Sequence, residues 1–259
     1  MVQSDEVSSD FPARIVAQTG HRPWPLPDGP WVMRQSWHDV LFAHWPVAAD
    51  RMRALVPAPL ELDLFRRHAW LGVVPFRMTN VAPRGVPALP WLSAFPELNV
   101  RTYVRVGAKP GVYFFSLDAS NPVAVSIARR LYGLPYFTAS MQVRRADGVI
   151  RYRSRRRGRG GGAGAFAATY RPVGAVFAPP RGSLEHFLTE RYCLYTVDAR
   201  VGPRRLEIHH PPWLLQRAEA EIHENTLAEA AGVRLPSTAP LLHFASRQDT
   251  VTWPLGYAD

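Results

Sequence analysis

The chain has 259 residues, of which 47% are hydrophobic and 11% aromatic, with 25 Pro, 18 Gly and one Cys. That much aromatic area excludes a mostly disordered chain, and a single thiol excludes an internal disulfide framework or a multi-thiolate zinc site. The net charge is +10, but only Lys109 is lysine and the other basic residues are arginine, a skew that reflects composition more than a nucleic-acid surface.

In chain order, Pro12, Pro23, Pro25, Pro27 and Pro30 mark residues 1–30 as an extended N-terminal arm, and residues 31–259 as a single domain. The first ten residues are acidic and lack a basic segment followed by an apolar one, so no secretion signal is visible. No apolar run is long enough to cross a bilayer as a helix, with 69–76 the longest candidate. A cytoplasmic protein without membrane attachment is expected. Strands are expected at Leu60 to Phe65, Ala69 to Met78, Leu98 to Val106 and Val112 to Leu117, with Lys109-Pro110-Gly111 as a turn.

Asn121-Pro122 places a cap before a first-turn proline and predicts a helix over 123–132, ended by Gly133. Met141 to Arg145 and Val149 to Arg153 flank Ala146-Asp147-Gly148, a hairpin signature. Arg155 to Gly164 is low-complexity and predicts a solvated loop. A strand at Phe166 to Pro172 and a short helix from Ser183 to Arg191 follow. Residues 217–232 combine strand-like alternation at Ala218 to Ile222 with a helix-like Asn225 to Ala231, and strands at Leu241 to Phe244 and Val251 to Trp253 close the chain. Many short strands and few helices predict a mainly β (α+β), curled sheet.

Motifs for nucleotide, nicotinamide, zinc-peptidase and serine-hydrolase chemistry are absent. His209 and His210 are adjacent, so on a strand they face opposite ways and read as structural histidines; no metal site is expected. The informative segment is Glu97-Leu-Asn-Val-Arg-Thr-Tyr-Val104. Alternation puts Glu97, Asn99, Arg101 and Tyr103 on one polar face, which either lines an enclosed cavity or faces water. Trp45, Trp70, Trp91, Trp213 and Trp253 read as core and rim packing, and Cys193, with no basic neighbour in sequence, as an inert core thiol.

Several strings resemble one family: Phe42 to Pro46, Trp70 to Met78, Glu97 to Val104, Gly111 to Asp118, Leu134-Pro-Tyr136 and His209 to Trp213. Together they are similar to the YqjF-like family, domain of unknown function 2071, over about residues 34–255. That family in turn resembles the acetoacetate decarboxylase superfamily, which implies a cone-shaped β-barrel around a small-molecule cavity with a few peripheral helices. The valine-proline-x-proline-leucine-glutamate run of the decarboxylases is matched by 56–61, and their cavity glutamate falls on Glu97. Their lysine-glycine-x-tyrosine spacing falls approximately on Lys109, Gly111 and Tyr113, and their substrate-carboxylate arginine on His38. Their Schiff-base lysine falls on Tyr136, and a phenol cannot form an imine.

The resemblance thus implies a cofactor-independent enzyme of lyase or isomerase type, working by acid–base chemistry on a carbonyl or carboxylate metabolite. Glu97, Tyr136 and His38 would be catalytic, and Arg101, Asn99, Tyr103 and Tyr113 would bind substrate. Three plainer outcomes stand beside it: a Glu97–Arg101 ion pair that only holds the fold, a non-catalytic ligand-binding or sensing protein, and, least favoured, a nucleic-acid binder using the Arg/Gly-rich loop. Homo-oligomer formation is left open.

Overall fold

The computed structural model describes residues 11–89, 91–157 and 163–258. Its first element is α1 (Phe11–Val16), where an extended arm was expected. Pro12 is the second helical residue, a first-turn position whose missing N–H has no partner to lose. Phe11 and Ile15 are buried against Val251 and Trp253, so packing fixes this short helix. Pro23, Pro25, Pro27 and Pro30 keep the segment after it irregular.

The remaining elements are β1 (Met33–Val47), α2 (Ala49–Arg53), β2 (Glu61–Leu62), β3 (Ala69–Pro83), β4 (Phe95–Val106), β5 (Lys109–Ala119), α3 (Pro122–Tyr132), β6 (Tyr136–Ala146) and β7 (Val149–Arg156). Then follow β8 (Ala165–Phe177), α4 (Leu184–Thr189), β9 (Cys193–Asp198), β10 (Gly202–His209), β11 (Leu215–Asn225), α5 (Leu227–Ala230), β12 (Leu241–Thr252) and β13 (Gly256–Tyr257). None of the helices among the described residues is long and apolar enough to cross a membrane.

Local signals explain much of this. The Asn121 side chain accepts from the N–H groups of Val123 and Ala124 at 3.0 and 3.1 Å, and Gly133 ends α3 at φ 61°, as cap chemistry predicts. Asp147 and Gly148 both take positive φ, 51° and 75°, the two left-handed residues a tight β6–β7 hairpin needs. The β4–β5 turn differs from expectation. It is made by Gly107-Ala108, and Lys109 to Gly111 already belongs to β5. Gly111 is glycine for a different reason: a Cβ there would sit 2.7 Å from the Cys193 carbonyl oxygen on β9. The strand expected at Leu60 to Phe65 shrinks to β2, because Arg66 and Arg67 turn the chain with positive φ. The two expected C-terminal strands are one, β12. Arg155 and Arg156 are strand residues of β7, and residues 158–162 of the expected loop lie outside the described residues.

The thirteen strands of the described residues form one sheet in the order β13-β10-β9-β5-β6-β7-β8-β11-β12-β1-β3-β4-β2. Additional β4–β5 and β10–β12 pairings bend it back on itself, so the sheet is ring-like. One circuit runs β5-β6-β7-β8-β11-β12-β1-β3-β4 and returns to β5; another runs β5-β9-β10-β12-β1-β3-β4. Strands β1, β3, β4, β5 and β12 belong to both and form a wall with two buried faces. Period-two alternation sends Leu98, Val100 and Val104 into the first compartment with Leu41, Val73, Tyr152 and Phe244. It sends the alternate residues of β4 to the second.

Candidate functional site

The second compartment contains a cavity of about 290 Å³. Its walls are mainly apolar, with Trp37, Phe42, Phe76, Phe114 and Trp213 among them, and three consecutive outward positions of β4 place Glu97, Asn99 and Arg101 in its lining. Of the two faces the alternation allowed, the polar stripe therefore occupies the enclosed one. Tyr136 enters from the first residue of β6, and its phenol donates a 3.0 Å hydrogen bond to Glu97 Oε2.

Glu97 is only 4% exposed. Burial pushes its carboxyl up to about 8; the Asp118 charge adds to the rise, and the Tyr136 hydrogen bond partly opposes it. Burial and the Glu97 charge together raise the Tyr136 phenol, which is therefore neutral at physiological pH. No ion pair joins Glu97 to Arg101 among the described residues, which corrects the simple structural pairing. Arg101 instead donates from Nη2 to the Leu188 carbonyl at 3.3 Å and lies over the rings of Phe42 and Tyr103.

Three sequence-predicted site residues are elsewhere. His38 does not line the cavity; its Nε2 is 2.8 Å from Thr79 Oγ1, between cross-strand neighbours Arg77 and Arg247. The cause is an irregularity at Asp39, whose φ is 52°: before it the odd residues Gln35 and Trp37 face the cavity, and after it the even residues Val40 and Phe42 do. Tyr103 shares the face of Glu97 but is buried beyond the cavity, 2.6 Å from His44 Nε2 and donating to the Leu188 carbonyl at 2.8 Å. Tyr113 lies between Val112 and Phe114, which line the cavity, so alternation turns it away to pack with Phe115 against the first core.

The comparisons with known proteins bear on this geometry. The profile of the DUF2071 family, described as an uncharacterized conserved protein, matches residues 34–249. The chain belongs to that family. The YqjF protein of Bacillus subtilis (strain 168), described as uncharacterized, is 51% identical over 230 residues, covering 89% of this chain and 94% of its own. Among solved structures, acetoacetate decarboxylase from Legionella pneumophila superposes with a TM-score of 0.58 at 14% identity, covering 100% of this chain and 99% of that one. The enduracididine biosynthesis enzyme MppR, complexed with pyruvate, superposes with a TM-score of 0.57 at 14% identity, covering 88% and 91%. These likenesses establish an acetoacetate decarboxylase-like fold for this DUF2071 member.

Sequence reasoning passed over several groups that hold the site. Tyr152, from the first compartment, donates to the Glu97 main-chain carbonyl at 2.7 Å. Asp118 and Arg156 form a buried ion pair behind β4, with Arg156 Nε 2.9 and 3.0 Å from the two carboxylate oxygens and its guanidinium 4.1 Å from the centre of the Phe137 ring. Burial raises the Asp118 carboxyl to about 6 even against that cation. Arg129 of α3 donates from Nε to the Tyr136 carbonyl at 2.5 Å. Arg191 and His210 line the far end of the cavity. Arg191 is engaged by Asp63 at 2.5 Å, and His210 stacks on Tyr192 with ring centres 4.6 Å apart. The adjacent histidines do face opposite ways, His209 lying 2.7 Å from the Ile15 carbonyl of α1. Cys193 is buried and its thiol is pushed up to about 12, mainly by burial, as an inert thiol should be. Trp45, Trp213 and Trp253 are core residues, whereas Trp91 is 68% exposed.

Proposed function

We propose that this DUF2071 protein is a cofactor-independent enzyme that moves a proton at the carbon beside a carbonyl in a small carboxylate metabolite. One observation carries the reading: a carboxyl that burial pushes up to about 8 and a neutral phenol are hydrogen-bonded to each other inside an apolar cavity that also holds an arginine with no carboxylate partner among the described residues. A carboxylate so raised is a strong enough base for carbon acids and holds its proton near neutral pH. As Glu97 takes a proton from carbon it becomes neutral, and the Tyr136 O–H turns from it to the developing enolate oxygen. Arg101 supplies the charge for the substrate carboxylate, the role first assigned to His38. The geometry of the barrel-like fold, not an imine, organises the step: Lys109, the lone lysine, sits at the start of β5 with Nζ 3.8 Å from Glu207 and is not part of the lining.

MppR binds pyruvate in its structure, and pyruvate makes a simple probe for this chain. In deuterium oxide the protein should exchange the methyl protons of pyruvate, followed by proton NMR, and E97Q or Y136F should slow that exchange by about 10²–10⁴-fold. Exchange that survives in E97Q at the wild-type rate would refute the assignment. The competing reading, a binder without turnover, is favoured by the mainly apolar lining; it predicts ligand-dependent thermal stabilisation with no exchange at any pH.

A further inference from the structure

The cavity has a direction. At one end its lining is deeply buried: Thr189, Arg191 and His210 are 3%, 7% and 1% exposed. At the other it is formed by exposed Pro83 and Ile127 with half-buried Met33 and Leu92, so this end is the mouth. Along β4 the order from mouth to blind end is Phe95, Glu97, Asn99, Arg101, about 20 Å at roughly 3.3 Å per residue. The acid–base pair therefore stands between the opening and the cation.

The blind end holds unmet polar groups. Arg101 Nε and Asn99 Oδ1 are buried without a hydrogen-bond partner, and Asn99 is only 4% exposed. Arg191 is occupied by Asp63, whereas no carboxylate pairs with Arg101 among the described residues. The mouth is the opposite in character. Val123, Ile127 and Leu131 are exposed at four-residue spacing, forming one apolar stripe on α3. Val86, Leu89 and Trp91 are exposed on the segment before β4, and the Asn121 side chain ties that segment to α3 by donating to the Trp91 carbonyl at 3.1 Å. These two lips flank an apolar cavity with room for roughly ten waters at about 30 Å³ each, far more than a three-carbon acid fills.

We propose that the site takes an amphiphilic oxo acid head-first, with its carboxylate at Arg101, its carbonyl a few carbons further along at Glu97 and Tyr136, and an apolar tail leaving between α3 and the lip that carries Val86, Leu89 and Trp91. The inference rests on the reading of Glu97 and Tyr136 for the carbonyl, but head and tail recognition can be measured without turnover. A tail covers the exposed stripe, and the continuity of the lips with the cavity lining favours it over a second copy. Two-fold docking of the α3 face would also bring Arg129 and Arg130 of each copy near their counterparts.

The test is a titration of the intact protein, by calorimetry, with 4-oxopentanoate, 4-oxooctanoate, 4-oxodecanoate and the methyl ester of 4-oxodecanoate, all below micelle-forming concentrations. Each added methylene should tighten binding about two- to fourfold, so 4-oxodecanoate should bind at least about 30-fold tighter than 4-oxopentanoate. The uncharged ester should bind about tenfold or more weakly than the acid, a comparison made on the wild-type chain. I127E, a change at an exposed helix position, should flatten the dependence on chain length, and R101M should erase the preference for acid over ester. Equal affinities across the chain-length series, or an ester as tight as its acid, would overturn the inference. So would I127E altering only sedimentation, which would assign the lips to a second copy. Chain-length dependence without deuterium exchange would leave the inference standing and remove the proton-transfer reading; exchange without chain-length dependence would do the reverse.

Discussion

Replacing Glu97 with glutamine should make the protein more stable, and by an amount that grows with pH. In the folded chain the Glu97 carboxyl is raised from its ordinary 4.5 to about 8, first by burial, while in the unfolded chain it returns to the ordinary value. Between those two pH values the folded state holds a proton the unfolded state has released. Stability must then fall as pH rises, by about 1.4 kcal/mol per unit over that window for this one group. The accumulated loss is about 3 kcal/mol at pH 7 and levels off at about 5 kcal/mol above pH 8, and it is absent below pH 4.5, where both states are protonated. Glutamine nearly matches the side chain in size, still accepts the Tyr136 hydrogen bond and never ionises. E97Q should therefore melt roughly 6–12 °C above wild type at pH 7, with the two curves converging toward pH 4.5. Scanning calorimetry or urea unfolding between pH 4.5 and 9 measures this directly. Parallel wild-type and E97Q stabilities across that range would show that Glu97 is ionised and well solvated in the folded protein, and the acid–base assignment would fall with it.

Removing Arg156 leaves a fully buried Asp118 without its cation, so R156M should cost about 3–5 kcal/mol in chemical unfolding, much of it recovered in the D118L/R156M double variant. G111A should destabilise by about 2–3 kcal/mol in the same assay, because the new Cβ meets a main-chain oxygen on β9 that no side-chain rotation can move. Borohydride added with a β-keto acid should leave no adduct on peptides containing Lys109, as read by mass spectrometry; a reduced adduct there would reinstate an imine route.

The overall strand-rich class and the polar stripe were legible because both follow from period-two alternation over β4, and α3 was legible because Asn121, Pro122 and Gly133 act locally. What escaped prediction depends on contacts distant in sequence. The family correspondence puts a site residue at His38, but one irregular residue, Asp39, reverses which strand positions face the cavity, and His38 lies on the outward side. Tyr113 failed for a related reason, since its own strand alternation opposed the spacing borrowed from the family. Helix α1 forms where prolines suggested none, because Phe11 and Ile15 find a buried surface supplied by β12, more than two hundred residues away. Asp118 and Arg156 carry no local signal at all: they are single charges in unrelated strings that the sheet brings together through its β5–β6–β7 neighbours.

The doubly buried wall explains how a cavity can hold a carboxyl, an amide and a guanidinium without collapsing or flooding. Each polar residue of β4 on the cavity side is flanked in sequence by Leu98, Val100 or Val104, whose side chains anchor the same backbone in the first core. The strand is thus held by apolar packing on one face while its other face remains free to carry chemistry. Tyr152 extends the logic, reaching from the first compartment to hold the Glu97 carbonyl, and Tyr136 reaches across the second to hold the Glu97 side chain. A general base needs both constraints, because a carboxyl that could swing toward water would lose the desolvation that makes it basic. By this argument the first core helps to fix the position of Glu97. Y152F should leave the cavity lining and the β3 and β5 pairing of residue 97 intact yet lower the Glu97 midpoint from about 8 toward the ordinary carboxylate range, by removing the side-chain hydrogen bond that fixes its carbonyl from the first core. Carbon-13 NMR titration of the Glu97 carboxyl would read the change, and an unshifted midpoint would show that the strand alone holds the residue in place.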